Sequence, residues 1–151
     1  MSEVHVKTPC IGVCSTGIGD RVCRGCKRFA HEVIHWNSYT GEQKQLIEQR
    51  LADFLSRCVQ NKLQVIDSQR LRSQLDTWRV PRSPGRDVNC WAYSLLKAGA
   101  SQIEEPEECG LKIDAEFRHL PLAELRVMID EEFFILSDAW YERYVGSAEN
   151  A

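Results

Sequence analysis

Four cysteines near the start of the chain constrain its fold more than any other feature. Cys10 and Cys14 are spaced C-x3-C, Cys23 and Cys26 are spaced C-x2-C, and eight residues separate the two pairs. Each pair encloses a glycine, which lets the backbone turn tightly enough to aim both sulfurs inward. Four thiolates on two short turns suit tetrahedral zinc or an iron–sulfur cluster, and the alternative is four unrelated reduced thiols. The spacing predicts one metal centre held by all four cysteines and leaves zinc and iron–sulfur open.

Basic residues flank these cysteines. They are Lys7, Arg21, Arg24, Lys27 and Arg28. Four thiolates around a 2+ centre leave a charge of about −2, which nearby cations would offset. The same set without Lys27 could instead contact phosphate, but with no stacking aromatics interleaved this indication of nucleic-acid binding is weak. We therefore expect a protein partner rather than a nucleic acid.

The composition is that of a folded protein from a reducing compartment. The chain has 151 residues, of which 43% are hydrophobic and 27% are charged, and this fits one ordinary domain. Seven cysteines without a secretory signal indicate a reducing, cytoplasmic location. No stretch approaches the roughly 20 apolar residues of a membrane span, so no membrane segment is expected.

Charge is distributed unevenly along the chain. Residues 1–100 hold 15 Lys/Arg and 9 Asp/Glu, a balance of +6, whereas residues 101–151 hold 4 and 13, a balance of −9. The two halves could form solvated faces that attract each other. Alternatively, the basic half could bind nucleic acid while the acidic half inhibits that binding or contacts a partner. The spread of the basic residues along the chain favours the first interpretation.

Most of the remaining chain has the periodicity of amphipathic helices. A short helix is expected from Lys27 to Trp36. Thr40 and Gln43 have the spacing of a capping box, which predicts the start of a second helix. Apolar residues then recur at helical spacing and predict one buried stripe. The stripe consists of Leu46, Ile47, Leu51, Phe54, Leu55, Cys58 and Val59.

Turn and connector signals separate the next elements. Residues 63–66 can form a short extended piece, and Asp67 or Ser68 is expected to cap a third helix. Two prolines and a glycine mark a connector within residues 80–88.

Two more helices are expected after this connector. Asn89 can cap a helix that stops at Gly99. A long helix begins near Pro121 and could break near Ser137. The long helix carries an apolar stripe at helical spacing. Its members are Leu122, Leu125, Ile129, Phe133, Leu136, Trp140 and Tyr144.

Little of the sequence alternates with period two, so the predicted fold is mainly α. We expect a small four-cysteine metal-binding knuckle lobe followed by about five helices packed in one bundle-like domain. The expected organisation is a metal-binding lobe over residues 1–38, a helical pair over 39–79, the connector over 80–88, and a C-terminal helical region with an acidic surface over 89–151.

The N-terminal cysteine pattern resembles a known bacterial family. The resemblance is carried by Thr8-Pro9-Cys10-Ile11-Gly12-Val13-Cys14, Cys23-Arg24-Gly25-Cys26-Lys27-Arg28, Glu32 and Trp36-Asn37. The pattern is similar to domain of unknown function 1289, a family usually described as predicted iron–sulfur proteins. Short members resemble residues 8–58, and longer members have a second half similar to Cys90–Tyr93 and Glu131–Phe134. The resemblance implies a metal-binding module with the four cysteines as ligands, and it implies no established reaction.

A zinc-hydrolase pattern also occurs in the chain. His31, Glu32 and His35 form H-E-x-x-H, in which two histidines bind zinc and the glutamate activates water. The motif begins only five residues after Cys26, and Ser38 stands where the longer hydrolase motif has glycine. Either histidine could instead replace or supplement a cysteine ligand, or both could lie on a polar helix face. No other set of acid, base and nucleophile converges, so we expect a protein that is not an enzyme.

Three functions follow in order of preference. The first is a small cytoplasmic metal-binding protein whose metal supports a structural or interaction module. The second is an iron–sulfur protein that transfers electrons or senses redox state. The third is an H-E-x-x-H zinc hydrolase.

Overall fold

The computed structural model describes Thr16, residues 20–82 and residues 86–146. The prediction of a mainly α fold is confirmed, with five α-helices and one two-stranded sheet in these ranges. The helices are α1 (Ala30–His35), α2 (Gly41–Gln60), α3 (Ser68–Thr77), α4 (Val88–Gly99) and α5 (Leu122–Tyr141). The strands are β1 (Leu63–Val65) and β2 (Leu111–Ile113), which pair antiparallel with Leu63 opposite Ile113. In the described ranges no helix is both long enough and apolar enough to cross a lipid bilayer.

The chain divides into two compact units. The described part of the first unit consists of Thr16, residues 20–54 and residues 133–146, and the second unit runs from Leu55 to Glu132. Both long helices contribute to both units. The first unit therefore contains the last part of α5 as well as the N-terminal elements.

In the first unit, α2 begins as its capping box predicts. The Thr40 backbone N–H donates to Oε1 of Gln43 at 2.9 Å, and the Gln43 N–H donates to the Thr40 hydroxyl at 3.2 Å. Ile47 and Leu51 are buried, but Leu46 is 73% exposed and the prediction that it belongs to the buried stripe is wrong. Successive helical residues point about 100° apart, so the side chain before Ile47 leaves the buried face.

In the second unit, the extended piece and the third helix form as predicted. Residues 63–65 form β1, and the Asp67 carboxylate caps α3 by accepting the backbone N–H groups of Gln69 and Arg70, both at 3.1 Å. Leu71 and Leu75 of α3 are fully buried.

The fourth helix is capped by Asp87, and the prediction that Asn89 caps it is wrong. Asp87 Oδ1 accepts the N–H groups of Asn89 at 3.0 Å and of Cys90 at 3.1 Å, so the helix starts at Val88. A carboxylate two residues earlier satisfies the free N–H groups and complements the helix dipole. The helix ends at Gly99 as predicted.

Two further helix predictions need correction. The first helix begins at Ala30 rather than Lys27, because Lys27 has φ of +66° and Phe29 is still paired with Val22 in an isolated β-bridge. The last helix passes through Ser137 without a break, and this serine is completely buried.

Candidate metal centre

The second cysteine pair lies on a tight backbone reversal that we call the knuckle, residues 22–29. The Cys23 N–H donates to the carbonyl of Arg28 at 2.9 Å, and the Lys27 N–H donates to the carbonyl of Cys23 at 2.7 Å. The antiparallel bridge between Val22 and Phe29 closes the base of the turn. Lys27 takes the left-handed conformation that lets the chain reverse, a conformation that is uncommon for a residue other than glycine. The knuckle therefore holds both cysteines on one short, hydrogen-bonded turn.

Both knuckle sulfurs belong to buried residues. Cys23 is 1% exposed and Cys26 is 8% exposed. Nε of Arg28 donates to Sγ of Cys26 at 3.2 Å, and the Arg28 backbone N–H donates to the same sulfur. Burial raises the pKa of the Cys26 thiol, and the hydrogen bonds from Arg28 oppose that rise only in part. A further positive charge at the sulfur, such as a metal ion, would hold it as a thiolate.

The two basic residues after Cys26 are buried with it. Lys27 is 1% exposed, and its ammonium donates to the carbonyl oxygens of Arg24 and Gly25, the second at 3.2 Å. Arg28 is 3% exposed, and its guanidinium carbon lies 4.8 Å from the ring centroid of Trp36. The Arg28 guanidinium thus contacts both the Trp36 ring and the sulfur of Cys26.

Arg21 connects the knuckle to the end of α5. Its Nε and Nη2 donate to the two carboxylate oxygens of Asp138 at 2.8 and 3.1 Å, and its Nη1 donates to Glu142. These hydrogen bonds lower the pKa of Asp138 and raise that of Arg21. These contacts join one basic residue before the knuckle to two acidic residues near the end of the described chain.

Arg24 is also engaged within the first unit. Its Nε lies 3.3 Å from the carboxylate of Asp20, and its guanidinium carbon lies 4.4 Å from the ring centroid of Phe134. The phosphate contacts suggested for Arg21, Arg24 and Arg28 therefore fall on side chains that already have partners in the chain. The fourth member of that set, Lys7, lies outside the described residues.

An aromatic cluster supports the base of the knuckle. Phe29 is 1% exposed, and its ring centroid lies 5.6 Å from that of Trp140 and 5.2 Å from that of Tyr141. The guanidinium carbon of Arg50 lies 4.1 Å from the Phe29 ring centroid. The knuckle therefore rests on side chains from both α2 and α5.

A comparison with protein families matches the segment that contains the knuckle. Residues 8–55 match the model of a family described as "Protein of unknown function (DUF1289)". We call this segment, which is similar to the family over 48 of the 151 residues, the DUF1289 domain. The match covers all four predicted ligands and confirms the resemblance seen in the sequence. No curated protein and no solved structure matches the chain.

The structure describes half of the predicted ligand set of the DUF1289 domain. Cys23 and Cys26 lie together on the knuckle, whereas Cys10 and Cys14 lie outside the described residues. In the described part of the chain, no group of three or more Cys, His, Asp or Glu side chains is arranged to hold a metal ion.

The other three described cysteines belong to the second unit. Burial raises the pKa of Cys58 and of Cys90 to about 11, and it also raises the pKa of Cys109. Among the described cysteines no pair forms a disulfide bond. Cys58 lies on the buried stripe of α2, as predicted.

Glu32 of the H-E-x-x-H motif is part of a buried ion pair. It is 5% exposed, and its two carboxylate oxygens accept hydrogen bonds from the two terminal nitrogens of Arg50. The nitrogen–oxygen distances are 2.6 and 2.7 Å. Oε1 also accepts the backbone N–H of Phe29 at 2.9 Å. His35 is exposed and His31 partly so. The carboxylate thus stabilises the exit of the knuckle, an arrangement that the motif alone does not reveal.

Sequence reasoning missed the residues that brace the knuckle. Arg50 lies 18 residues from Glu32, and Asp138 lies 117 residues from Arg21. Neither separation has a local sequence signature. For Arg21 and Asp138 the usable signal was the charge contrast between the two halves of the chain, which names no particular pair, and for Glu32 and Arg50, both within residues 1–100, the sequence contained no signal.

Proposed function

We propose that the DUF1289 domain binds one metal centre through Cys10, Cys14, Cys23 and Cys26, and that this centre organises the N-terminal lobe as a module for binding a protein partner. The observation that carries the proposal is the knuckle, where two buried cysteines share one turn and Arg28 donates to the sulfur of Cys26. When bound, the metal supplies a cross-link between the two cysteine pairs, and its binding energy becomes folding energy.

The chemistry of the donors supports this ligand set. Thiolate sulfur is a soft ligand that suits zinc and iron–sulfur clusters. Burial works against a bare thiolate in the knuckle, and a bound cation offsets that cost. Cys10 and Cys14 complete the four-coordinate set by their spacing in the sequence. A zinc centre would act structurally, whereas an iron–sulfur cluster would add electron transfer or redox sensing.

The hydrolase alternative gains no support from Glu32. A general base needs a carboxylate oxygen that can accept a proton from water. Both oxygens of Glu32 instead accept hydrogen bonds from Arg50 at 2.7 Å or less. The ion pair with Arg50 gives Glu32 a structural role.

Anaerobic purification followed by metal analysis and a visible spectrum tests the proposal. We expect about one metal centre per chain, either colourless zinc or an iron–sulfur cluster with its broad visible absorption. Cys23→Ser should lose the metal and lower the order of the N-terminal lobe. Cys109→Ser replaces another buried cysteine, 6% exposed, in the second unit and should keep the metal. A wild-type protein free of zinc and iron, or equal metal content in the two variants, would overturn the proposal.

A further inference from the structure

Arg28 is a buried cation with an unusual acceptor. Its side chain is almost inaccessible to solvent, and Nε donates to Sγ of Cys26 at 3.2 Å. Its guanidinium also lies over the ring of Trp36, with 4.8 Å between the guanidinium carbon and the ring centroid. In the part of the chain that the structure describes, Arg28 forms no ion pair with a carboxylate. The sulfur is therefore the acceptor that the structure gives to this side chain.

A buried guanidinium needs a negative charge close to it. Arginine does not lose its proton in a protein, and an isolated charge is costly to remove from water. Arg50, whose side chain is 15% exposed and lies over the Phe29 ring at the base of the knuckle, meets this need with Glu32. A four-thiolate centre around a 2+ charge would supply about −2 at the position where Arg28 donates.

We infer that Arg28 is the counter-cation of the metal centre and that Trp36 positions it. This inference rests on the proposed function and adds to it a residue that tunes the centre without binding the metal. The guanidinium donates to a ligand sulfur, lowers the cost of placing an anionic centre inside the lobe, and favours an all-thiolate ligand set. A ligand set in which His31 or His35 replaced one cysteine would carry one negative charge less.

Removing the contact between Arg28 and Cys26 should cause a measurable loss of metal affinity. Hydrogen-bond partners of metal ligands contribute about 10–100-fold to affinity. Arg28→Gln removes the charge and should weaken binding of Co²⁺ by about 10–100-fold. Arg28→Lys keeps the charge but lacks the planar donor, so it should lose less Co²⁺ affinity than Arg28→Gln. Trp36→Phe keeps an aromatic platform with a weaker attraction for cations and should also give a smaller loss.

The experiment is a Co²⁺ titration of the full chain, read from the thiolate-to-metal charge-transfer bands and followed by competition with Zn²⁺. Arg24→Gln is the matched control, because it makes the same change on the same turn at a side chain that is 64% exposed. This control should lower affinity less than Arg28→Gln does and should leave the bands unchanged, because solvent screens its exposed charge. In Arg28→Gln the charge-transfer band should move to lower energy, because the sulfur loses a charged hydrogen-bond donor and keeps at most the neutral amide of glutamine. A residue that served only to fold the knuckle would not shift the band of the protein that still binds.

The outcomes separate the two proposals. If wild-type protein shows no thiolate bands with Co²⁺, the metal site itself is wrong and the role of Arg28 is wrong with it. If the wild type binds and Arg28→Gln matches Arg24→Gln in affinity and band position, only the role of Arg28 is wrong. If Arg28→Gln does not fold, Arg28→Lys and Trp36→Phe decide, and wild-type behaviour in both would overturn the inference.

Discussion

Replacing Glu32 by glutamine tests whether this carboxylate stabilises the first unit. Glutamine keeps one carbonyl oxygen but replaces the other oxygen by an NH2 group. That second oxygen, Oε2, accepts a hydrogen bond from Nη1 of Arg50 at 2.7 Å, and an NH2 group cannot accept it. The substitution removes the charge from a pair whose side chains are 15% exposed at Arg50 and 6% at Glu32. Breaking a buried ion pair lowers the free energy of unfolding by about 3–5 kcal/mol. Because Arg50 is partly exposed, we expect the lower end of this range, about 3 kcal/mol. For a chain of this size that corresponds to a fall in Tm of about 6–12 °C.

The assay is thermal and urea unfolding of metal-loaded protein, followed by circular dichroism. Glu42→Gln is the control, because Glu42 is exposed in the first turn of α2 and its loss should cost at most about 1 kcal/mol through the helix dipole. The double variant Glu32→Gln/Arg50→Gln should lose less stability than the sum of the two single losses, because each single variant leaves one charge unpaired and the double variant leaves none. Equal stability of Glu32→Gln and Glu42→Gln would refute a stabilising role for the ion pair.

Two further substitutions test other contacts. Asp138→Asn should cost about 0.5–1 kcal/mol at neutral pH, because the pair with Arg21 is more than one third exposed on both sides. Arg21 lowers the pKa of Asp138, so this contribution is complete above the ordinary value of about 3.9 and disappears as the pH falls through the lower folded value. Urea midpoints of wild type and variant should therefore converge in acid, and a constant difference would contradict the assignment. Gly110→Ala should cost about 2 kcal/mol or more in thermal unfolding, because φ is +79° and a Cβ would lie 2.1 Å from the carbonyl oxygen of Asp67. Gly146→Ala, where the nearest atoms are 3.6 Å away, should change stability by less than about 0.5 kcal/mol, and equal losses in the two variants would exclude steric strain at Gly110.

Local signals in the sequence predicted the starts of α2 and α3 because those signals act within one helical turn. The hydrogen bonds between Thr40 and Gln43 span three residues, and those accepted by Asp67 span two and three. The start of α4 was misplaced because two polar residues in one turn could both cap it. Asp87 prevails over Asn89, and its second oxygen also accepts the hydroxyl of Ser56 at 2.7 Å, a contact that the local sequence does not contain.

The knuckle was harder to anticipate because its conformation depends on tertiary contacts. A basic residue after a cysteine normally indicates an exposed charge, yet Lys27 is buried in the left-handed conformation. The carbonyl groups of Arg24 and Gly25 accept hydrogen bonds from its ammonium group. The ring centroid of Phe133 lies 5.5 Å from the ammonium nitrogen. The side chain can therefore be buried only once α5 is in place. Periodicity within residues 20–30 carries no information about that helix.

The end of α5 makes the physical unit around the knuckle larger than the DUF1289 match. The match stops at residue 55, but the described part of the first unit also includes residues 133–146. Trp140 stacks on Phe29 at the base of the knuckle. Asp138 accepts hydrogen bonds from Arg21, the residue that immediately precedes the knuckle. Without these contacts Phe29 would lose a large part of its apolar cover, and Arg21 would lose its bidentate partner. Under the proposed function, metal binding is coupled to folding, so we expect support from α5 to raise the metal affinity of the full chain above that of a fragment limited to residues 8–55.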